Sequence, residues 1–301
     1  MGDKKKEIRP RLSEDDYQLF LLLKERMAEF GVSSELPAEL PKKEVAHLPK
    51  VKQFTEPGDY LLVGCVHAPA HNVSMMNGIT NLLIDHKVKG LMLMGDFIDV
   101  NSLSGHDVGK FTATPGLTLD KEYADGEELL TQLTKPLSKD AIKVFLYGNH
   151  EDRWNRYMGD MESAKKPLPS PTEGLKLREK GFHVYTHWKD DFVTLGNHLD
   201  LFHGQFYNIH CAKKTMDTFK GSVAFVHSHR VQSFIEGKTG GFNIGWGGDV
   251  TSPFFNYMPR GTKSMWQNGF AMVTISETGD YYLQQIIHYN NRFYYGGKKY
   301  N

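Results

Sequence analysis

Five short segments place metal-binding side chains directly after apolar runs: Cys65-Val66-His67, Gly95-Asp96-Phe97-Ile98-Asp99, Gly148-Asn149-His150-Glu151, His203-Gly204 and His227-Ser228-His229. A strand tip is where an α/β protein presents side chains to a ligand crevice. Asp96 offers two carboxylate oxygens, enough to bridge two divalent cations. His67, His203, His227 and His229 offer imidazole nitrogen, and Asn149 offers a neutral amide oxygen. This mixed N/O set suits Mn, Fe or Zn better than Ca or Mg. Two such ions about 3.5–4 Å apart clamp a phosphate and activate a shared water for in-line attack. The leaving oxygen then needs a proton, which an imidazole supplies near neutral pH. His150 is the expected acid and Asp99 its orienting partner. Arg153 and Arg230 are expected to bind phosphate oxygens bidentately.

Singly, these signals are weak. Gly-Asp pairs mark ordinary turns, and a lone histidine is more often a core or surface residue than a ligand. The ordered set of five is the specific signal. Glycine before Cys65, Asp96 and Asn149 is expected to supply the tight turn at each strand end. Strand alternation is expected to aim His227 and His229 the same way, one toward each ion.

The elements that must carry these tips alternate. Apolar runs at 60–64, 91–94 and 142–147 read as strands, with helical patterns at 74–87 and 120–135 between them. Residues 100–119 read as a long loop and 160–172 as a polar, Pro-rich stretch. The second half reads as β-rich. Phe192–Leu195 and His198–Phe202 flank Gly196-Asn197, and Phe270–Ile275 and Tyr281–Ile287 flank Thr278-Gly279, both as hairpins. Residues 208–219 read as a helix, 223–226 as a strand, and 232–235 as pairing with 242–244. The rhythm implies an α/β (α+β) fold of two packed mixed sheets with helices outside. Upstream, Ser13 caps an expected amphipathic helix over 14–30, ended by Gly31, and 32–57 reads as linker. This divides the chain into an N-terminal helix and linker segment, 1–57, and a main domain, 58–301.

The chain has 301 residues, 40% of them apolar, and 36 acidic against 36 basic side chains. A sizeable core is expected, and no whole-chain field points to a nucleic-acid or membrane partner. Two cysteines and a charged N-terminus argue against a disulfide-stapled secreted fold. No stretch has the roughly 18 apolar residues of a membrane span. A cytoplasmic location is expected.

The motifs resemble those of the calcineurin-like metallophosphoesterases, which run Asp-x-His, Gly-Asp-x-x-Asp, Gly-Asn-His-Asp/Glu, His, Gly-His-x-His. The resemblance covers about residues 58–290. The run Gly148–Arg153 and the later Trp266-Gln267-Asn268-Gly269-Phe270 look most like phage- and prophage-encoded members, which would place the protein in a host cytoplasm. The resemblance implies a four-layer αββα sandwich and two divalent transition-metal ions. One ion would be held by Cys65, His67, Asp96 and His229, the other by Asp96, Asn149, His203 and His227. It implies His150 as the catalytic histidine, Asp99 as its partner and a phosphate ester as substrate.

Two departures stand out. Cys65 occupies the place of the first aspartate, and Val226 replaces the glycine before His227. A thiolate favours Zn or Fe over Mn. Cys65 either ligates and shifts metal choice, stays neutral and leaves the first ion weakly held, or marks a degenerate site. Three functions follow: a phosphoesterase on a monoester or small diester, a DNA or RNA nuclease on the same site, or a non-catalytic interaction module. Tyr257, Trp266, Tyr294 and Tyr295 are expected to fill core in preference to stacking on a base.

Overall fold

The structure is a computed structural model. It describes residues 51–104, 116–159 and 168–301. The expected helix over 14–30, most of the linker, the middle of the loop at 100–119 and most of the polar stretch at 160–172 lie outside these residues.

In chain order the strands are β1 (Val51–Phe54), β2 (Gly58–Val63), β3 (Gly90–Leu93), β4 (Ile142–Leu146), β5 (His183–Tyr185), β6 (Phe192–Leu195) and β7 (Leu199–Leu201). Then follow β8 (Ser222–Phe225), β9 (Val231–Glu236), β10 (Thr239–Ile244), β11 (Gly269–Ile275), β12 (Tyr281–Ile287), β13 (Phe293–Tyr295) and β14 (Lys298–Tyr300). The longer helices are α1 (Val73–Asp85), α2 (Leu119–Thr134), α3 (Asp152–Gly159) and α4 (Cys211–Phe219).

Two six-stranded sheets result, ordered β12-β11-β2-β3-β4-β5 and β1-β6-β7-β8-β10-β9. Both are mixed. β2 to β5 run parallel while β11 pairs antiparallel with β2 and β12. In the other sheet β7, β8 and β10 run parallel, and β6/β7 and β9/β10 are antiparallel hairpins.

Alternation of side chains along β2 and β3 divides the interior. Leu61, Val63, Leu91 and Leu93 join a core with Met75, Ile79 and Leu82 of α1 and Leu129, Leu130 and Leu133 of α2. Tyr60, Leu62, Met92 and Met94 face the other way, onto Val193, Leu195, Leu199, Leu201 and Ala224. A third cluster packs Cys211, Ala212 and Met216 of α4 on Val223 and Phe225. The layers are therefore helices, sheet, sheet and helix, the αββα arrangement that the resemblance implies.

The helices begin where capping chemistry allows. Asn72 accepts from Met75 N at the start of α1, and Thr118 accepts from Lys121 N at the start of α2. Each cap satisfies an amide with no partner inside its helix. Residues 51–54, read as linker, instead pair in parallel with β6 and close one edge of its sheet. The strand-forming Val-x-x-Phe run outweighs the flanking polar composition. Among the described residues no helix is long and apolar enough to cross a membrane.

Candidate metal centre

All five motif segments leave the C-terminal ends of strands: Cys65 after β2, Asp96 after β3, Asn149 after β4, His203 after β7 and His227 after β8. β2, β3 and β4 are neighbours in one sheet, and β7 and β8 are neighbours in the other. Beyond the strand ends the chains stay zipped. Cys65 N donates to Gly95 O at 2.9 Å, His67 N to Asp96 O at 2.9 Å and Val226 N to His203 O at 3.0 Å.

Two clusters of donor atoms form, and Asp96 belongs to both. Ligand atoms of Cys65, His67, Asp96 and His229 lie within 4.8 Å of one another, as do those of Asp96, His203 and His227. In the first, His67 Nε2 stands 3.1 Å from His229 Nε2 and 3.9 Å from Asp96 Oδ2. In the second, His203 Nε2 stands 3.2 Å from Asp96 Oδ2 and 3.0 Å from Asn149 Oδ1. His227 Nδ1 is 3.2 Å from the same nitrogen. The seven side chains expected as ligands thus lie near one another, Cys65, His67, Asp96 and His229 on one side and Asp96, Asn149, His203 and His227 on the other.

The outer nitrogens aim the inner ones. His67 Nδ1 pairs with Asp99 Oδ1 at 2.9 Å, and His203 Nδ1 with the Met94 carbonyl at 3.0 Å. A proton on each Nδ1 leaves the Nε2 lone pair facing the centre, as metal ligation requires. Imidazole nitrogens about a hydrogen-bond length apart, converging on one carboxylate, are the chemistry of a cation site. The donor set fits a divalent metal.

Cys65 faces the first cluster. Its Sγ accepts from His227 N at 3.1 Å and is fully buried. Burial and the Asp96 charge push this thiol well above its ordinary range, against the His227 amide. Opposing forces act on Asp96. Burial alone would raise it, but His203 and His150 hold it well below the usual carboxylate range. Burial, then His203, depresses His227 to about 3. Burial, then the neighbouring His67, keeps His229 well below its ordinary value. Both imidazoles are therefore neutral donors at physiological pH.

The backbone here is strained. Cys65, His67, Asp96, Val100, His227 and His229 all have positive φ, six of the ten such non-glycine residues among those described. Each costs about 1–3 kcal/mol in ordinary contexts, and such residues cluster at functional sites. This corrects two expectations. β8 ends at Phe225, and His227 and His229 reach the two clusters through left-handed turns, φ 69° and 59°, instead of strand alternation. Gly64 and Gly148 are needed for closeness, not for turning. A Cβ on Gly148 would lie 2.1 Å from Asp96 Oδ1, and one on Gly64 would meet Met94 and Val226. Val226 is fully buried in that contact.

His150 and Arg153 border the clusters. His150 Nδ1 lies 2.6 Å from Asp99 Oδ1, and its Nε2 lies 3.9 Å from Asp96 Oδ2. Arg153 donates through Nη1 to the Asp99 carbonyl at 2.8 Å, and its Nη2 stands 3.4 Å from His150 Nε2. Arg230 approaches Met265 Sδ at 3.5 Å. Its Nε and Nη1 are buried without a hydrogen-bond partner.

Three supports escaped sequence reasoning. Glu151 accepts from Asp96 N, Phe97 N, Ile98 N and Gly148 N at 2.8–3.1 Å, clamping two motif loops together. Its position after Gly-Asn-His was visible, but not the amides that it holds. Behind His67 and His229 sits an aromatic wall. Trp246 stacks on His229 at 4.7 Å and 12°, Trp266 meets it edge-on at 4.5 Å, and Phe255 meets His67 at 5.4 Å. Asn243 donates to the Ser228 hydroxyl, anchoring the middle of His-Ser-His. Trp266 and Tyr295 pack on the cores as expected, whereas Tyr257 and Tyr294 are exposed. A cleft of about 1020 Å³ lined by His198, Lys220 and Lys238 lies at the other end of the β7–β8 sheet and shares none of these residues.

No family model matches the chain, and no curated protein matches it. Solved structures do. Vacuolar protein sorting 29 from Cryptosporidium parvum aligns over 81% of this chain and 95% of its own, with 13% identity and a TM-score of 0.41. The zinc complex of the same-named protein from Entamoeba histolytica aligns over 76% and 98%, with 11% identity and a TM-score of 0.38. A predicted phosphoesterase from Streptococcus pneumoniae aligns over 82% and 97%, with 14% identity and a TM-score of 0.32.

Proposed function

We propose that this protein is a metal-dependent phosphoric ester hydrolase. The observation that carries the reading is the position of Asp96, whose carboxylate belongs to two separate groups of converging donors. A carboxylate so shared could offer an oxygen to a cation on each side. The first cation would be held by Cys65, His67, Asp96 and His229, the second by Asp96, Asn149, His203 and His227. Two divalent cations supply Lewis acidity toward phosphate oxygens and activate a water. The thiol at position 65 favours Zn or Fe at the first position, and the N/O donors of the second accept Mn, Fe or Zn.

The remaining steps belong to the chain. His150 presents Nε2 at the edge of the clusters, and Asp99, paired to its Nδ1, fixes the ring's orientation. As general acid, His150 donates a proton from Nε2 to the departing ester oxygen. Arg153 Nη2 sits beside the same nitrogen and would turn from it onto a phosphate oxygen, and Arg230 brings two nitrogens, Nε and Nη1, without a hydrogen-bond partner. Both neutralise charge that grows on the phosphoryl group in the transition state.

The test is hydrolysis of p-nitrophenyl phosphate and bis-p-nitrophenyl phosphate by the full chain with Mn, Zn or Fe, beside single- and double-stranded DNA. Metal-dependent release that disappears on Asp96→Asn is the expected result. A chain that binds less than one ion and cleaves none of these would instead be an interaction module on this scaffold.

A further inference from the structure

Beside His227 the rim carries two aromatic rings that the hydrolytic steps do not use, Tyr207 in solvent and Trp188 half-buried with one side packed on the helix-side core. The Trp188 ring lies 6.2 Å from that of His227 and 6.1 Å from that of His203. The Tyr207 ring lies 6.2 Å from His227 at 71°. Tyr207 is 75% exposed, although its loop is well fixed. Gln205 Nε2 donates to the Lys189 carbonyl at 2.6 Å, tying the Tyr207 loop to the segment that carries Trp188. Gln232 Nε2 holds the Ile209 carbonyl at 2.8 Å. A large ring held out into solvent beside a cluster of imidazoles leaves a hydrated apolar face that a flat partner would cover.

Cations are interleaved with these rings. Lys189 Nζ stands 5.5 Å from the Trp188 ring centre, and Lys214 Nζ 4.2 Å from that of Phe206. Alternating flat π faces and cations are the surface that binds nucleotides, because every base has a π face and every nucleotide a phosphate. A sugar holds a base a few ångströms from its phosphate. A phosphate at His227 would therefore bring its base to Trp188 or Tyr207.

Resting on the hydrolase reading above, we propose that Trp188 and Tyr207 form a stacking rim that seats the base of a nucleoside phosphate ester whose phosphate lies at the metal centre. The substrate class is then a nucleotide ester, not an aliphatic phosphate. The two rings set specificity and take no part in bond breaking.

The experiment is calorimetric titration of the metal-loaded full chain with thymidine 5′-monophosphate, ribose 5-phosphate and inorganic phosphate. The nucleotide should bind about tenfold or more tighter than the base-free sugar phosphate. Tyr207→Ala, at an exposed position that leaves folding intact, should remove most of that difference, and Tyr207→Phe should keep it. Trp188→Ala should act in the same direction. Affinity for inorganic phosphate should be unchanged in all three variants. Equal affinity of the wild-type chain for nucleotide and sugar phosphate would overturn the stacking rim and leave the hydrolase reading standing, as would a preference that survives Tyr207→Ala and Trp188→Ala. Failure of the metal-loaded chain to bind inorganic phosphate would overturn the hydrolase reading and the rim with it.

Discussion

The Asp99 carboxylate meets His150 Nδ1 at 2.6 Å. With the same oxygen it meets His67 Nδ1 at 2.9 Å. Two histidines for which different tasks are proposed, His67 to hold a cation and His150 to hold a proton, thus share one orienting group. Burial opposes charge on Asp99, but His150, His67 and Arg153 outweigh it and hold the carboxyl well below its usual range. Asp99→Asn keeps the shape and one acceptor oxygen but removes the negative charge that both Nδ1–H groups face. Turnover should fall about a hundredfold or more, the usual contribution of an oriented acid. Affinity at the first cation position should fall about 10–100-fold as well. Steady-state kinetics and metal titration of the variant check both losses; a change in neither would contradict the shared role.

His150→Ala isolates the proton-transfer task. Its ring lies outside the two four-donor sets, so metal content should stay near that of the wild type while turnover is abolished. Metal analysis beside kinetics decides it, and substantial residual turnover would refute the acid role.

Cys65→Asp replaces a soft donor by a hard one in the first cluster. Turnover supported by Mn should rise, because carboxylate oxygen suits Mn better than sulfur does. Loss of activity with Mn and with every other metal would show that the thiol has a different purpose.

Glu151→Gln tests the clamp. One amide nitrogen would then face backbone N–H groups that the carboxylate accepts from, leaving buried donors unpaired at about 1–3 kcal/mol each. The variant should be destabilised in urea unfolding and should bind metal more weakly. Wild-type stability in that variant would mean that the loops carrying Asp96 and Asn149 are held elsewhere.

How legible this was in the sequence follows from the range of each interaction. The strands and helices that carry the motifs could be read because apolar spacing is local: α2 begins at Leu119 against an expected 120, and β11 and β12 pair as the Thr278-Gly279 hairpin implies. The seven candidate ligands were visible as residue types after apolar runs. What local pattern does not carry is contact across the chain. Glu151 captures amides more than fifty residues away, and Gly148 is small because Asp96, from another strand, needs the space. The conformation of His227 and His229 was also hidden. Alternation assumes a continuing strand, but the chain turns after Phe225, where Ser228 N donates to Val226 O at 2.8 Å. The rim at Trp188 and Tyr207 was missed because an isolated aromatic in sequence is indistinguishable from core.

Crystals of the full chain grown with Zn or Mn, with diffraction data collected at each absorption edge, would show whether two cations meet across Asp96. The hydrolase reading expects two anomalous peaks about 3.5–4 Å apart, both touching the Asp96 carboxylate, one beside Cys65, His67 and His229 and the other beside Asn149, His203 and His227. A single peak away from Asp96, or none with the metal present in excess, would contradict it.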